Sequence, residues 1–320
     1  MASAGTSRMG SGIAAAAVAL GVTQLLAAPF GPAADARTAV GSAVIDLTPG
    51  PVKEWAIQAF GTADKLFLAV SVVVVIAVIA ALAASAEAPR RPIGSIAIAL
   101  AGLAGAAAVL SRPDAGLTDT IPVLIGTLCG IAVLRLLTSG RISDGPAHTD
   151  DAGPDPGRRL SLVTLGLAGA GLLSGVIGTA WSRRLHSVAG DRQAFTVPPV
   201  SVPAPPIPPQ VQPAGVDLPS FVTANDDFYR IDTALSVPQL SREDWRLRIH
   251  GMVDHEITYG FDDLRDVPLM EKVVTLTCVS NPVGGNLISN AVWTGYRVRD
   301  LLAAAGVHPD ADMVLSTSID

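Results

Sequence analysis

The sequence predicts a multi-pass α-helical membrane region followed by a mixed α+β domain. Three observations carry that reading. Up to about residue 182 the chain is dominated by Ala, Val, Leu, Ile and Gly. Residues 196–215, "TVPPVSVPAPPIPPQVQPAG", form a Pro-rich stretch. Beyond it, charged and aromatic residues rise to the level of a globular domain. The whole-chain mean hydropathy of +0.45 with 16% charged residues averages these unlike parts. A net charge of -6 and the lack of a basic stripe exclude a nucleic-acid partner. Two cysteines, Cys129 in an apolar run and Cys278 in the polar part, cannot make a disulfide framework.

Five apolar stretches are long enough, or nearly so, to cross a hydrocarbon core of roughly 30 Å. They cover residues 13–30, 66–86, 93–110, 121–137 and 160–181. The first resembles the apolar region of a signal peptide, but further spans follow it and no small-residue cleavage site does. Arginines set the orientation. Arg8, Arg90, Arg91, Arg141, Arg158 and Arg159 fall in segments that share one side if the N-terminus is cytoplasmic. On the other side Arg37, Lys53, Lys65 and Arg112 are mixed with Asp35, Asp46, Glu54, Asp64, Asp114 and Asp119. Arg183 and Arg184 run against the bias. The N-terminus is therefore expected inside and the C-terminal domain outside. "GRRLSLVTLGLAGAGLLSGV", from Gly157, adds a twin-arginine-like pair before an apolar segment.

No Asp, Glu, Lys or His interrupts the spans, and Arg135 sits near an end. Intramembrane ionisable groups mark ion paths and proton relays, so the bundle reads as an anchor. His148 and the other four histidines lie outside the apolar runs, so no haem site is seen in the spans. Gly102, Gly105, Gly166, Gly169 and Gly171 are candidates for close helix packing.

The domain plan is an anchor over residues 1–185, a Pro-rich linker over 186–219 and a domain over 220–320. The linker's prolines favour extended geometry suited to a spacer. "WRLRIHG" alternates Trp245, Leu247 and Ile249 against polar residues, the pattern of a half-buried strand. "FDDLRDV" reads as a short helical segment with Asp262 as N-cap. "KVVTLTC" is a second strand, "YRVRDLLAAAG" a helix stopped by Gly306, and "MVLSTSID" the start of another strand. A chain ending on an apolar strand is expected to be incomplete at that end.

Cys278 closes the second strand and is followed by "VSNPVGGN". Its glycines permit close approach of backbone to a ligand. From the residues alone Cys278 is either a buried structural thiol or a soft metal ligand, and zinc would demand further Cys or His nearby. Tyr229 is either core or a ligand contact, and Arg230 either a surface arginine or an anion clamp.

The ordered series "DDFYRIDTAL", "WRLRIHGMVDHEITYGFDDL" and "VVTLTCVSNPVGGNLISNAVWTGYRVRDLLAAAG" resembles the molybdopterin-binding domain of the sulfite oxidase family. The likeness is closest to its bacterial, membrane-attached, extracytoplasmic members and covers about residues 220–320. It implies a molybdenum–molybdopterin cofactor whose metal takes one protein thiolate, at Cys278. The family's "N-x-F-Y-E" stretch matches Asp226, Tyr229 and Arg230, with Asp226 standing where the family has Asn. Asn281 joins the cofactor-binding set, and a later hydroxyl position falls at Ser318. The resemblance makes Cys278 and Arg230 the catalytic candidates.

Sulfite oxidases carry basic residues after the cysteine. Here Pro282, Val283, Gly284 and Gly285 occupy that loop. The expectation is a membrane-anchored oxidoreductase performing two-electron oxygen-atom transfer on a small oxyanion or an S- or N-oxide. Its partners would be the lipid bilayer, the small-molecule substrate and a separate electron donor or acceptor. The 320-residue fragment alone is expected to be inactive. The rival reading is a cofactor-free extracytoplasmic binding or interaction module on a membrane anchor.

Overall fold

An apolar helix buries its backbone polar groups in its own hydrogen bonds, which leaves side-chain size to decide how closely two helices approach. The N-terminal unit is organised by that rule. The computed structural model describes residues 2–60, 63–112, 115–139, 156–215, 217–231 and 237–319. Asp114, Arg141 and His148 lie outside the described residues. The chain divides into two units, one of Met1–Ser187 and one carried by Val188–Thr233 and Gln239–Ser318.

The first unit contains α1 (Ala2–Ala27), α2 (Ala36–Leu47), α3 (Gly50–Phe60) and α4 (Asp64–Ser85). A two-rung hairpin of β1 (Glu87–Ala88) and β2 (Arg91–Pro92) leads into α5 (Ile93–Leu110), α6 (Ile121–Thr138) and α7 (Pro156–Leu185). Among the described residues five helical segments are long and apolar enough to cross a membrane: Ser7–Phe30, Lys65–Ser85, Ile93–Leu110, Leu117–Thr138 and Gly157–Ala194. They coincide with the five stretches expected from the sequence.

α1 is the hub, in contact with α4, α6 and α7. Small residues make those contacts. A Cβ on Gly21 would strike the Gly171 carbonyl, and one on Gly171 would lie 2.5 Å from the Ala17 carbonyl carbon. A Cβ on Gly126 would lie 2.5 Å from the Ala19 carbonyl oxygen, and one on Gly130 3.0 Å from that of Ala15. Of the glycines picked out in the sequence, Gly102, Gly105 and Gly171 face neighbours, whereas Gly166 and Gly169 have nothing within 4 Å. Spacing along one helix marks a small-residue stripe but does not tell which side the partner takes.

One end of this unit is stitched by polar groups. Buried Glu87 accepts from the Ser95 amide at 3.0 Å and its hydroxyl at 2.8 Å. Arg135 Nε donates to Ser95 Oγ at 3.3 Å, and Arg8 donates to the Glu87 carbonyl at 3.3 Å. At the opposite end α2 and α3 replace what the sequence suggested was a loop. Asp35 accepts from the amides of Arg37 and Thr38, capping α2, and buried Ala39 packs with Val109 and Val123.

The second unit contains α8 (Ala189–Ala194) and two antiparallel ribbons. The first ribbon pairs β3 (Arg246–Ile249) with β4 (Ile257–Gly260). The second pairs β5 (Met270–Thr277) with β6 (Ile288–Gly295). The helix α9 (Val298–Ala305) follows. Ile249, Leu264, Leu301 and Ala305 form the core, with Trp245, Leu247, Ile257 and Tyr259 against it. The alternation of β3 thus buries the face expected of it. Gly306 ends α9 in the left-handed region at φ 69°, where a Cβ would also lie 2.5 Å from an Asp254 carboxylate oxygen.

Two local expectations are corrected. Residues Asp262–Asp266 form a 3₁₀ turn whose N-cap position is Phe261, not Asp262. Asp262 instead accepts from Arg242 at 2.7 Å and pairs with Arg265 at 3.1 Å, and the hydrogen bond from Arg242 holds its carboxyl below the usual range. Asp263 reaches back to the Gly260 amide at 2.7 Å. The run from Met313 forms no strand, and Met313, Val314 and Leu315 are exposed. An apolar, β-prone run makes a strand only where a neighbour takes its amides and carbonyls.

The Pro-rich stretch is part of the second unit and packs on its ribbons. Ser201 N–H donates to the Leu269 carbonyl at 2.8 Å, and Glu271 N–H donates to the Val202 carbonyl at 2.8 Å. The Gln212 side chain accepts from the Phe221 amide at 2.8 Å and donates to the Pro219 carbonyl at 3.3 Å. Thr223 N–H then donates to the Asn290 carbonyl at 2.9 Å. One segment therefore borders β5 on its outer edge and β6 on its own. Upstream, Phe195 lies edge-on to Phe261, and Arg242 sits over both rings at 5.6 and 5.4 Å.

Glycine contact and glycine spacing make different predictions. Gly171→Leu should destabilise the first unit by at least about 1–3 kcal/mol through overpacking against α1. Gly166→Leu should stay within about 0.5 kcal/mol, as for an uncontacted surface position. Thermal unfolding of the two variants in detergent makes the comparison.

Candidate functional site

Cys278 follows β5 by one residue and continues its ladder. Its N–H donates to the Leu287 carbonyl at 2.9 Å, one rung beyond the last strand pair, Thr277 with Ile288. The thiol is half-buried. The connecting loop folds back on itself. Asn281 N–H donates to the Cys278 carbonyl at 3.0 Å, and Gly285 N–H to the Pro282 carbonyl at 2.8 Å. Leu287 N–H donates to Asn281 Oδ1 at 2.8 Å. Leu287 is thus held by its carbonyl to the cysteine and by its amide to the asparagine.

The two glycines have separate reasons. Gly284 is left-handed at φ 77° and open around its Cα. A Cβ on Gly285 would lie 2.5 Å from Asn281 Oδ1 and 2.8 Å from Pro282 Cδ. Val279 and Val283 are fully exposed at 102% and 107%, so the rim of the loop is apolar. No charged residue occurs between Thr277 and Ser289.

The "FYR" segment is positioned by an aromatic contact. Phe228 meets Trp293 edge-on at 5.6 Å and stacks with Tyr229 at 5.2 Å. Trp293 pairs with Lys272, five residues beyond Ile288 on β6. At a rise of about 3.3 Å per residue, Trp293 stands roughly 16 Å along the ribbon from the cysteine end. Asp226 lies in a 3₁₀ turn, Asn225–Asp227, and is exposed, as is Arg230. Ser318 is exposed in the extended C-terminal stretch. The structure therefore brings Cys278 and Asn281 into one loop and sets Phe228, with Tyr229 stacked on it, against Trp293 farther along β6, while Arg230 and Ser318 are exposed.

Beside the ribbon runs an open groove of about 460 Å³, bounded by Gln212, Leu218, Phe221, Thr275, Ile288 and Asn290. Thr275 donates to Asn290 Oδ1 at 2.6 Å across the strands inside it. Gln212 and Phe221 carry no signal in the sequence, because their role depends on a fold-back onto β6. Phe228 was hidden beside Tyr229, and only the position of Trp293 distinguishes the two rings.

Among the described residues no three metal-binding side chains gather. A group that brings most of its own ligands and takes one soft thiolate fits this arrangement. Cys278 stands at a fixed strand end with its side chain half-buried.

Residues 234–320 match the oxidoreductase molybdopterin binding domain family. The chain is 34% identical over 71 residues to an uncharacterized oxidoreductase, YuiH, of Bacillus subtilis, covering 22% of this chain and 34% of that protein. It is 29% identical over 112 residues to the mitochondrial sulfite oxidase of Drosophila melanogaster, covering 31% of this chain and 19% of that protein. The matches thus span only 34% and 19% of these curated relatives. No solved structure matches the chain significantly.

The loop geometry assigns Asn281 a positioning role. Asn281→Ala removes an acceptor worth about 1 kcal/mol, so local opening should rise about fivefold. Alkylation of Cys278 in cofactor-free protein, followed by peptide mapping, should accelerate accordingly. Asn281→Asp keeps the acceptor and should react at the native rate.

Proposed function

We propose, from the match of residues 234–320 to the oxidoreductase molybdopterin binding domain, that the protein is a membrane-anchored molybdenum enzyme acting outside the cytoplasm. The placement of Cys278 at the end of β5, opposite Leu287, carries the reading. Its thiolate would hold molybdenum, with Asn281 fixing the loop behind it. Tyr229 and Arg230 would seat the pterin portion, since a guanidinium suits its phosphate. When bound, the cofactor supplies a two-electron change coupled to oxygen-atom transfer.

The rim of Val279 and Val283, with no charged residue from Thr277 to Ser289, favours an uncharged S- or N-oxide over an anion such as sulfite. The absence of a cationic side chain from that loop leaves nothing there to offset an anion's desolvation. Electrons would pass to or from a separate partner.

The five apolar helices would anchor the domain in the bilayer. Arg8 donates to Glu87 of the β1–β2 hairpin that carries Arg90 and Arg91, and Arg135 donates to Ser95 in the first turn of α5, which supports placing that end in the cytoplasm. Arg158 and Arg159 at the start of α7 fit the same side and give the segment its twin-arginine character. A reporter enzyme fused after Asp217 should then be active only outside the cytoplasm.

Metal analysis of the native full-length protein tests the assignment. Molybdenum should be present at about one per chain and be held more weakly in Cys278→Ser, as for removal of the protein's own metal ligand. The loaded protein should reduce an S- or N-oxide more readily than it oxidises sulfite. A native protein that folds and carries no molybdenum would support the cofactor-free module instead.

A further inference from the structure

The α3 helix carries an apolar face that the first unit leaves uncovered. Val52 is 48% and Trp55 57% exposed, one turn apart, with Ala59 exposed a further turn on. Its C-terminal end is fastened. Trp55 meets Phe60 edge-on at 5.9 Å, and Phe60 stacks on Phe67 at 4.0 Å with the rings 12° apart.

Phe67 fixes the depth of that attachment. It lies in the first turns of the apolar segment Lys65–Ser85, whose face bearing Phe67, Val70 and Val74 is likewise exposed. The α3 helix therefore joins α4 where its apolar run begins. It does so at the end opposite the Glu87–Ser95–Arg135 cluster, because α2, which leads to it, packs on Val109 and Val123. A helix that is apolar on one side and fastened at the mouth of a span suits the boundary between headgroups and acyl chains. An indole, with an apolar body and a polar N–H, is a favoured residue at that depth.

We propose that α3 lies in the bilayer interface on the side away from Arg8 and Arg135, with Val52 and Trp55 turned into the lipid. The inference rests on the reading of α4 as a membrane span. It needs no assumption about the molybdenum site. A protein partner or a second copy of the chain would leave Trp55 inaccessible to lipid.

Fluorescence quenching in vesicles separates these cases. Full-length protein with Trp181, Trp245 and Trp293 changed to Phe is reconstituted with lipids brominated near the headgroup or near the bilayer centre. Trp55 should be quenched severalfold more by the shallow bromines. A control chain with Trp55→Phe and Val74→Trp reports on α4 and should respond to the deep bromines. Quenching of the control without quenching of Trp55 overturns the proposal alone. Preferential deep quenching of Trp55 also overturns it, and failure of the control removes the span and the proposal together. If the triple replacement does not fold, the difference between native protein and Trp55→Phe isolates the same signal.

Discussion

A two-stranded antiparallel ribbon is barely stable by itself in water, yet Cys278 stands at the end of one. Everything proposed for this site depends on how the β5–β6 ribbon is held. Its outer edges are open rows of amides and carbonyls, the usual template for unwanted pairing. The Pro-rich segment covers part of one edge, and the residues that follow it touch the other. Around Val202 it takes the start of the β5 edge, and Thr223, beyond the Pro-rich run, donates to the Asn290 carbonyl on the β6 edge. Prolines suit this task because an edge segment needs few donors, and proline has none. The stretch that looked like a spacer thus borders the strands that present the thiol.

The turn beyond Thr277 is held by different means. The Cys278 amide and the Asn281 side chain both bond to Leu287, so cysteine and asparagine share one anchoring residue. Gly285 makes that possible by leaving space against Asn281 Oδ1. The motif therefore has an internal reason apart from any ligand: the asparagine closes the loop, one glycine allows the closure, and the other supplies the left-handed turn. A ligand at Cys278 would meet a thiol whose backbone is already fixed. In the first unit the analogous fixing agent is side-chain absence. α1 meets α7 through Gly21 and Gly171, where backbone approaches backbone.

Legibility in the sequence followed interaction range. The β3 face, the end of α9 at Gly306 and the cysteine at a strand end depend on neighbours in sequence, and all three were visible. The five apolar segments were visible because their composition suffices. The α2 and α3 helices were missed between spans, where short sequences with mixed polarity read as loop. Asp262 misled because a carboxylate before a short apolar pattern looks like a cap, while Arg242, twenty residues earlier, claims it. The run 313–315 misled because strand propensity says nothing about a partner. At the site itself, Cys278 and its glycines could be read directly. The closure by Leu287, the strap at Gln212 and the contact of Phe228 with Trp293 could not.

Cys278, at the strand end, is proposed to supply one thiolate to molybdenum. Molybdenum K-edge absorption of the native full-length protein, beside Cys278→Ser with cofactor restored, tests it most directly. Loss of one sulfur from the metal's coordination in the variant is the result predicted. An unchanged sulfur shell in the variant would contradict it, and Cys278 would then be a structural residue of the ribbon.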